Sequence, residues 1–115
     1  MHELGIANSV LEAARAEMQQ RPGARLVKIG LRVGELSGVD PEALRFGFDA
    51  LARGTDLETA SLEIEFCPRR QRCPACGREF TVVDFEVACP GCAEARTECI
   101  SGDELSLAYL EMEEP

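Results

Sequence analysis

A chain of 115 residues with 45% hydrophobic content is sized for one compact domain with a small appendage and a single modest core. No apolar run approaches the ~20 residues that span a bilayer, and Met1-His2-Glu3 opens neither a signal nor a transit peptide, so the expectation is a soluble cytoplasmic protein with no membrane partner. The formal net charge of −9 argues against nucleic acid as a partner, because its phosphates would repel most of this surface.

From Ile6 to Gln20 the apolar residues Ile6, Val10, Leu11, Ala14 and Met18 fall on one helical stripe, with Glu17 four residues before Arg21 on the polar side. Pro22-Gly23 ends that helix. Ser9 and Glu12 match a capping box, but the stripe already includes Ile6 and sets the start near Gly5. Leu26 to Val33 then alternates, Val27, Ile29, Leu31 and Val33 against Lys28, Gly30 and Arg32, as a half-buried strand does.

The turn Gly34-Glu35-Leu36-Ser37-Gly38 leads into Asp40-Pro41-Glu42, the signals of a second helix: a capping carboxylate, Pro at the first helical position and an acid in the first turn. Leu44, Phe48 and Leu51 share its apolar stripe and Gly54 stops it. Ser61 to Phe66 alternates Leu62, Ile64 and Phe66 with Glu63 and Glu65, a second strand. Glu104 to Met112 reads as a third. Its apolar residues split between two phases, Leu105 and Leu107 against Leu110 and Met112, which implies a bulge or burial on both faces.

Between the last two strands lie Cys73-Pro74-Ala75-Cys76 and Cys89-Pro90-Gly91-Cys92, with twelve residues separating Cys76 from Cys89. Two Cys-x-x-Cys turns at that distance bring four thiolates to the corners of a tetrahedron, the closed geometry of structural zinc. The other reading is two disulfides or unrelated buried thiols; the paired spacing is too specific for the latter, and nothing in the sequence suggests the oxidising compartment that the former needs. The only histidine is His2, so zinc would be held by Cys73, Cys76, Cys89 and Cys92 alone, with no open position. Cys67 and Cys99 flank the turns, six residues before Cys73 and seven after Cys92. They are alternative ligands, a possible disulfide across the base of the segment or, more simply, two small buried thiols.

Five arginines and five acids balance between Cys67 and Cys99, so the acidic excess lies elsewhere, sixteen acids against seven bases. The segment is too short to bury its own core, and metal binding would supply its folding energy. The order of elements predicts an α+β fold: a three-stranded sheet with two helices on one face and an inserted four-cysteine zinc-ribbon-like module. The strands entering and leaving the module are expected to be antiparallel neighbours that anchor it.

A second chemical signal lies at the first three residues. The amine of Met1, the backbone nitrogens after it and the imidazole of His2 can wrap one metal ion in nearly a plane, and square-planar nitrogen favours nickel(II) or copper(II) over zinc. Glu3 offers a carboxylate from the side. Read on its own, a histidine at position 2 is an exposed residue on a frayed terminus.

Met1-His2-Glu3 opening into a helix, Gly34-Glu35-Leu36-Ser37 leading to Asp40, the two Cys-x-x-Cys knuckles and Ser101-Gly102-Asp103-Glu104-Leu105 together resemble the nickel metallochaperone family HypA of NiFe-hydrogenase maturation, across nearly the whole chain and in the family's order. The resemblance implies a nickel-binding α/β domain over residues 1–66 and 101–115 and a zinc-binding module over 67–100. It implies nickel(II) as transferred cargo on Met1, His2 and Glu3, with Asp40 as a further carboxylate whose capping role already explains it. It also implies structural zinc(II) on the four knuckle cysteines, and delivery with the nickel-binding GTPase HypB to the hydrogenase large subunit. The spare cysteines depart from the family pattern. So does the lack of any histidine beside a knuckle, which removes an imidazole-based pH response of zinc coordination.

Two other classes are weighed against this. A nucleic-acid-binding zinc ribbon needs basic and aromatic residues around its knuckles, whereas the arginines here are balanced by acids and Phe80 and Phe85 read as core of the module. An enzyme needs a nucleophile paired with a base or a phosphate loop, and the chain has neither, so no catalytic residue is assigned. A structural zinc adaptor without nickel carriage is the remaining alternative.

Overall fold

The computed structural model describes residues 2–114, with the side chain of His2 outside that description. The elements are α1 (His2–Gln19), β1 (Arg25–Gly34), a 3-10 turn (Glu35–Ser37), α2 (Pro41–Ala52), β2 (Ser61–Cys67), β3 (Arg70–Arg72), β4 (Glu79–Thr81), β5 (Glu98–Ser101) and β6 (Leu105–Glu113). They form two compact units: residues 1–32, 39–65 and 106–115, and residues 33–38 and 66–105.

In the first unit α1 begins at His2, three residues before the sequence suggests, so Ser9 and Glu12 lie inside the helix. Ala7, Leu11 and Ala14 form its buried face, while Ile6, Val10 and Met18 are half-buried at its margins. The helices α1 and α2 pack on each other where small residues let the backbones approach. A Cβ on Gly47 would lie 3.4 Å from Leu4 Cδ1 and 3.8 Å from Ala7 Cβ. Leu44 and Phe48 complete the α2 face and are essentially inaccessible. The start of α2 follows its sequence signals, with Asp40 Oδ1 accepting the Glu42 N–H at 3.0 Å and Pro41 at the first helical position.

Strands β2, β1 and β6 form one three-stranded sheet in that order. The ion pairs Lys28–Glu63 and Arg32–Glu65 advance in the same direction on β1 and β2, as parallel strands joined by a helical crossover must. Arg25 pairs with Glu113, and the Tyr109 ring lies over Gly30, so β6 runs antiparallel to β1. Lys28, Arg32, Glu63 and Glu65 mark the solvent face; Ile29, Leu31 and Leu62 lie on the opposite, buried face. The expected neighbours, the strands entering and leaving the module, are therefore not paired, because β1 lies between them. The crossover through α2 sets β2 beside one edge of β1 and leaves β6 the other. An edge position also explains why neither phase of β6 is fully buried: Leu105, Leu107 and Tyr109 are exposed, and Leu110 and Met112 half-buried. Phe66, expected to continue the buried phase of β2, is likewise exposed.

The second unit has a sheet that the sequence does not announce, β4-β3-β5, antiparallel throughout. At three or four residues these strands are too short to show periodicity. In the same unit the Gly34 and Leu36 N–H groups donate to the carbonyls of Glu104 and Gly102 at 2.7 and 2.6 Å, and Glu35 Oε1 accepts the Arg69 N–H at 3.0 Å. A side chain on Gly34 would meet the Gly102 carbonyl, and Gly102, at φ 112°, faces the Arg69 backbone. Both glycines are there because three chain segments cross at backbone distance.

Candidate metal sites

The module is built on two knuckles with the same hydrogen-bond pattern. Cys73 N–H donates to the Arg78 carbonyl at 2.9 Å and Gly77 N–H returns to the Cys73 carbonyl at 2.8 Å. Cys89 N–H donates to the Glu94 carbonyl and Ala93 N–H to the Cys89 carbonyl, both at 2.9 Å. Each loop closes through a left-handed residue, Gly77 at φ 79° and Ala93 at φ 66°. Beneath them Cys73, Cys89, Phe80 and Val82 form a small core with Val87 against it. Gln71, the one buried polar side chain among the described residues, donates to Thr97 at 3.1 Å; the Thr97 hydroxyl donates in turn to the Val87 carbonyl. That network ties β3 to the chain leading into the second knuckle. Neither Gln71 nor Thr97 carries a signal in the sequence that would single it out.

The sulfurs of Cys73, Cys76, Cys89 and Cys92 all lie within 4.8 Å of one another. Cys73 Sγ is 3.5 Å from Cys92 Sγ, and Cys76 Sγ is 3.7 Å from Cys89 Sγ. A tetrahedron with metal–sulfur bonds of ~2.3 Å has edges of about 3.8 Å, so the cage fits one ion of that bond length. Cys73 and Cys89 are buried and Cys76 and Cys92 exposed, leaving one side of the cluster at the surface.

Electrostatics favour a cation at the centre. Burial pushes the Cys89 thiol up, but the Cys92 and Gly91 N–H groups, the latter 3.4 Å from Sγ, and the Cys76 and Cys92 thiols outweigh it and bring it down to about 7. At Cys92 the Glu94 N–H pulls down, while the Cys73 sulfur, burial and the sulfurs of Cys76 and Cys89 push up, to about 12. Adjacent sulfurs that share protons cannot all ionise together. A divalent metal removes that conflict by making all four thiolates ligands. A Cβ on Gly91 would come 3.3 Å from Arg78 Nη1 and 3.8 Å from Cys89 Sγ, so the guanidinium of the first knuckle lies over the second, beside thiolate charge.

Cys67 and Cys99 stand apart from this cage. Cys67 is half-buried at the end of β2. Cys99 is exposed, not buried as expected, and its strand partner is Gln71 rather than Cys67. Phe80 is core as expected, but Phe85 is 87% exposed and belongs to no core.

At the other expected site, Met1 and the His2 imidazole lie outside the described residues. Glu3 is half-buried, and its Oε2 accepts the Asp40 N–H at 3.4 Å. Glu3 and Asp40 are thus brought together where α1 and α2 both begin, two positive helix ends offset by the carboxylates of Glu3, Asp40 and Glu42.

A two-helix, three-stranded unit joined to a four-sulfur knuckle module defines a small two-unit metal-binding protein. A family described as hydrogenase/urease nickel incorporation, metallochaperone, hypA matches residues 1–112. The hydrogenase maturation factor HypA of Chlorobaculum parvum is 42% identical over 113 residues, covering 98% of this chain and all of that protein. The factor of the same name from Geobacter metallireducens is 41% identical with the same coverage. Among solved structures, a HypA protein in solution superposes with a TM-score of 0.71 at 21% identity, covering 97% of this chain and 96% of that one. The nickel metallochaperone HypA of Helicobacter pylori superposes with 0.65 at 18% identity, covering 98% of each chain. The chain belongs to the HypA family of nickel-incorporation metallochaperones.

Proposed function

We propose that this protein binds nickel(II) through the Met1 amine, the following backbone nitrogens and the His2 imidazole, with Glu3 and at most Asp40 adding carboxylate. It then delivers the ion, with the GTPase HypB, to the large subunit of a NiFe-hydrogenase. The observation that carries this reading is the family match across residues 1–112, which includes Met1-His2-Glu3. In this reading residues 1–66 and 101–115 handle nickel. Zinc(II) on Cys73, Cys76, Cys89 and Cys92 is a fixed staple of residues 67–100, since four thiolates leave no position for water or substrate. The protein works in the cytoplasm, where reducing conditions keep thiolates available as ligands. It is a carrier and not an enzyme, with neither membrane nor nucleic acid as partner.

The two sites suit opposite tasks. A helix starting at His2 leaves its first backbone N–H groups without intrahelical acceptors, so nickel can take backbone nitrogen without breaking the helical ladder. The same helix end carries partial positive charge, which opposes a cation. Chelation must overcome that repulsion, and a partner that draws away one ligand then releases the ion. The Glu3 carboxylate offsets part of the repulsion from one side.

Calorimetric nickel titration of the native protein, of a protein extended by one N-terminal residue and of His2→Ala tests the proposal. Extension alters no side chain, yet it should damage binding, and His2→Ala should abolish it with little loss of stability. Affinity should fall steeply from about pH 8 to about pH 6, as the imidazole and amine gain protons. Equal binding by all three proteins would leave a zinc-stapled adaptor instead.

A further inference from the structure

Beyond β4 the module ends in a tight hairpin. Val83 and Glu86 form an antiparallel bridge, the Glu86 N–H donates to the Val83 carbonyl at 3.0 Å, and the chain reverses through Asp84 and Phe85. Both turn residues have positive φ, 53° and 60°, the mirror-image geometry that two-residue hairpins ordinarily give to Asn-Gly. Phe is a strained occupant of left-handed backbone, and such strain persists at positions kept for something other than folding. Its ring gives the fold nothing in return: at 87% exposure it is the most exposed large hydrophobic among the described residues, with Val83 beside it at 66%.

The tip is also charged. Asp84 and Glu86 flank the ring, and among the described residues no Lys or Arg forms an ion pair with either. Glu86 Oε1 instead accepts the Ala88 N–H at 3.2 Å. An aromatic anchor on a narrow turn, rimmed by carboxylates, matches an apolar socket edged by basic residues. We propose that this tip is a docking finger whose Phe85 enters a Lys- and Arg-edged apolar socket on the partner GTPase. The inference rests on the partnership proposed above. Charge complementarity sets the chemistry of the socket, Lys and Arg against Asp84 and Glu86, and the GTPase of that reading is the protein on which it is sought. An anionic lipid surface would repel both carboxylates.

The test titrates purified GTPase HypB into the zinc-loaded full chain and into Phe85→Gly, Phe85→Trp and the double variant Asp84→Lys with Glu86→Lys. Phe85→Gly should weaken binding tenfold or more while zinc content is unchanged and the thermal midpoint rises by a few degrees, since glycine accepts this backbone freely. Phe85→Trp should retain most of the affinity. The double reversal should weaken binding most at low salt. Binding of Phe85→Gly within twofold of the native protein would overturn the proposal, as would a loss that accompanies lower zinc content or stability. So would a loss seen only against the hydrogenase large-subunit precursor or against phosphatidylglycerol vesicles, or failure of the native chain to bind the GTPase. Nickel titration of Phe85→Gly should match the native protein, so the carrier reading stands or falls separately.

Discussion

The two knuckles differ at one equivalent position, and the difference can be exchanged. Gly77 and Ala93 both hold left-handed backbone and both donate to the carbonyl of the first cysteine of their knuckle. A Cβ added at Gly77 meets nothing within 4 Å, so Gly77→Ala imposes the backbone cost of ~1–2 kcal/mol, less the ~0.4–1 kcal/mol by which alanine stiffens the unfolded chain, a net loss of about 0.5–1 kcal/mol. Ala93 already carries that cost. Ala93→Gly removes it but loosens the unfolded chain by ~0.4–1 kcal/mol, for a net gain of about 0.5–1 kcal/mol. Folding of the module is coupled to its metal, so these energies should appear in zinc affinity, where ~1.4 kcal/mol is tenfold. Gly77→Ala should weaken zinc binding by ~2–5-fold and Ala93→Gly should tighten it by about the same factor. Competition against a chromophoric chelator at fixed pH measures both, with thermal unfolding in excess zinc as a second readout. Unchanged affinity in Gly77→Ala, or weaker binding in Ala93→Gly, would refute the view that left-handed backbone limits knuckle closure.

Protein purified without chelator should hold about one zinc per chain, with four sulfurs at ~2.3 Å by X-ray absorption. Serine at any of the four cage cysteines should loosen the module, whereas Cys67→Ser with Cys99→Ser should leave zinc content unchanged; a loss in the latter would show that the ligand set is different. Asp40→Ala removes the cap on Glu42 and should cost ~1 kcal/mol in urea unfolding while nickel binding persists; lost nickel with unchanged stability would instead make Asp40 a ligand. Lys28 is held above its usual 10.5 first by its hydrogen bond to Glu63, then by the charges of Glu63, Glu111 and Tyr109, against burial. A raised folded pKa gives a contribution fully present below 10.5 and lost as pH rises through the folded value. The deficit of Lys28→Met in urea unfolding should therefore be constant near neutral pH and begin to shrink only once the pH passes 10.5.

The parts of this protein legible in its sequence are those set by forces acting over a few residues. Asp40-Pro41 and Gly54 bracket α2 because capping and φ restriction are local, and Ile29, Leu31 and Val33 alternate because a strand has two faces whatever lies beside it. The four cage cysteines are equally plain, since a Cys-x-x-Cys turn brings its two sulfurs together unaided. The start of α1 is less legible: nothing near Ser9 and Glu12 reveals that the helix already runs from His2, because Leu4 and Ala7 are fixed by packing on Gly47. Strand order is beyond reach for the same reason. Whether β2 pairs with β1 or β6 depends on the crossover through α2, a contact between segments some thirty residues apart. Only the folded chain brings Glu3 to the Asp40 N–H, joins Gln71 to Thr97, and turns Phe85 outward on a backbone that its own side chain disfavours. Those arrangements come from segments meeting in space, where close packing and hydrogen-bond saturation select among pairings that local sequence leaves equally open.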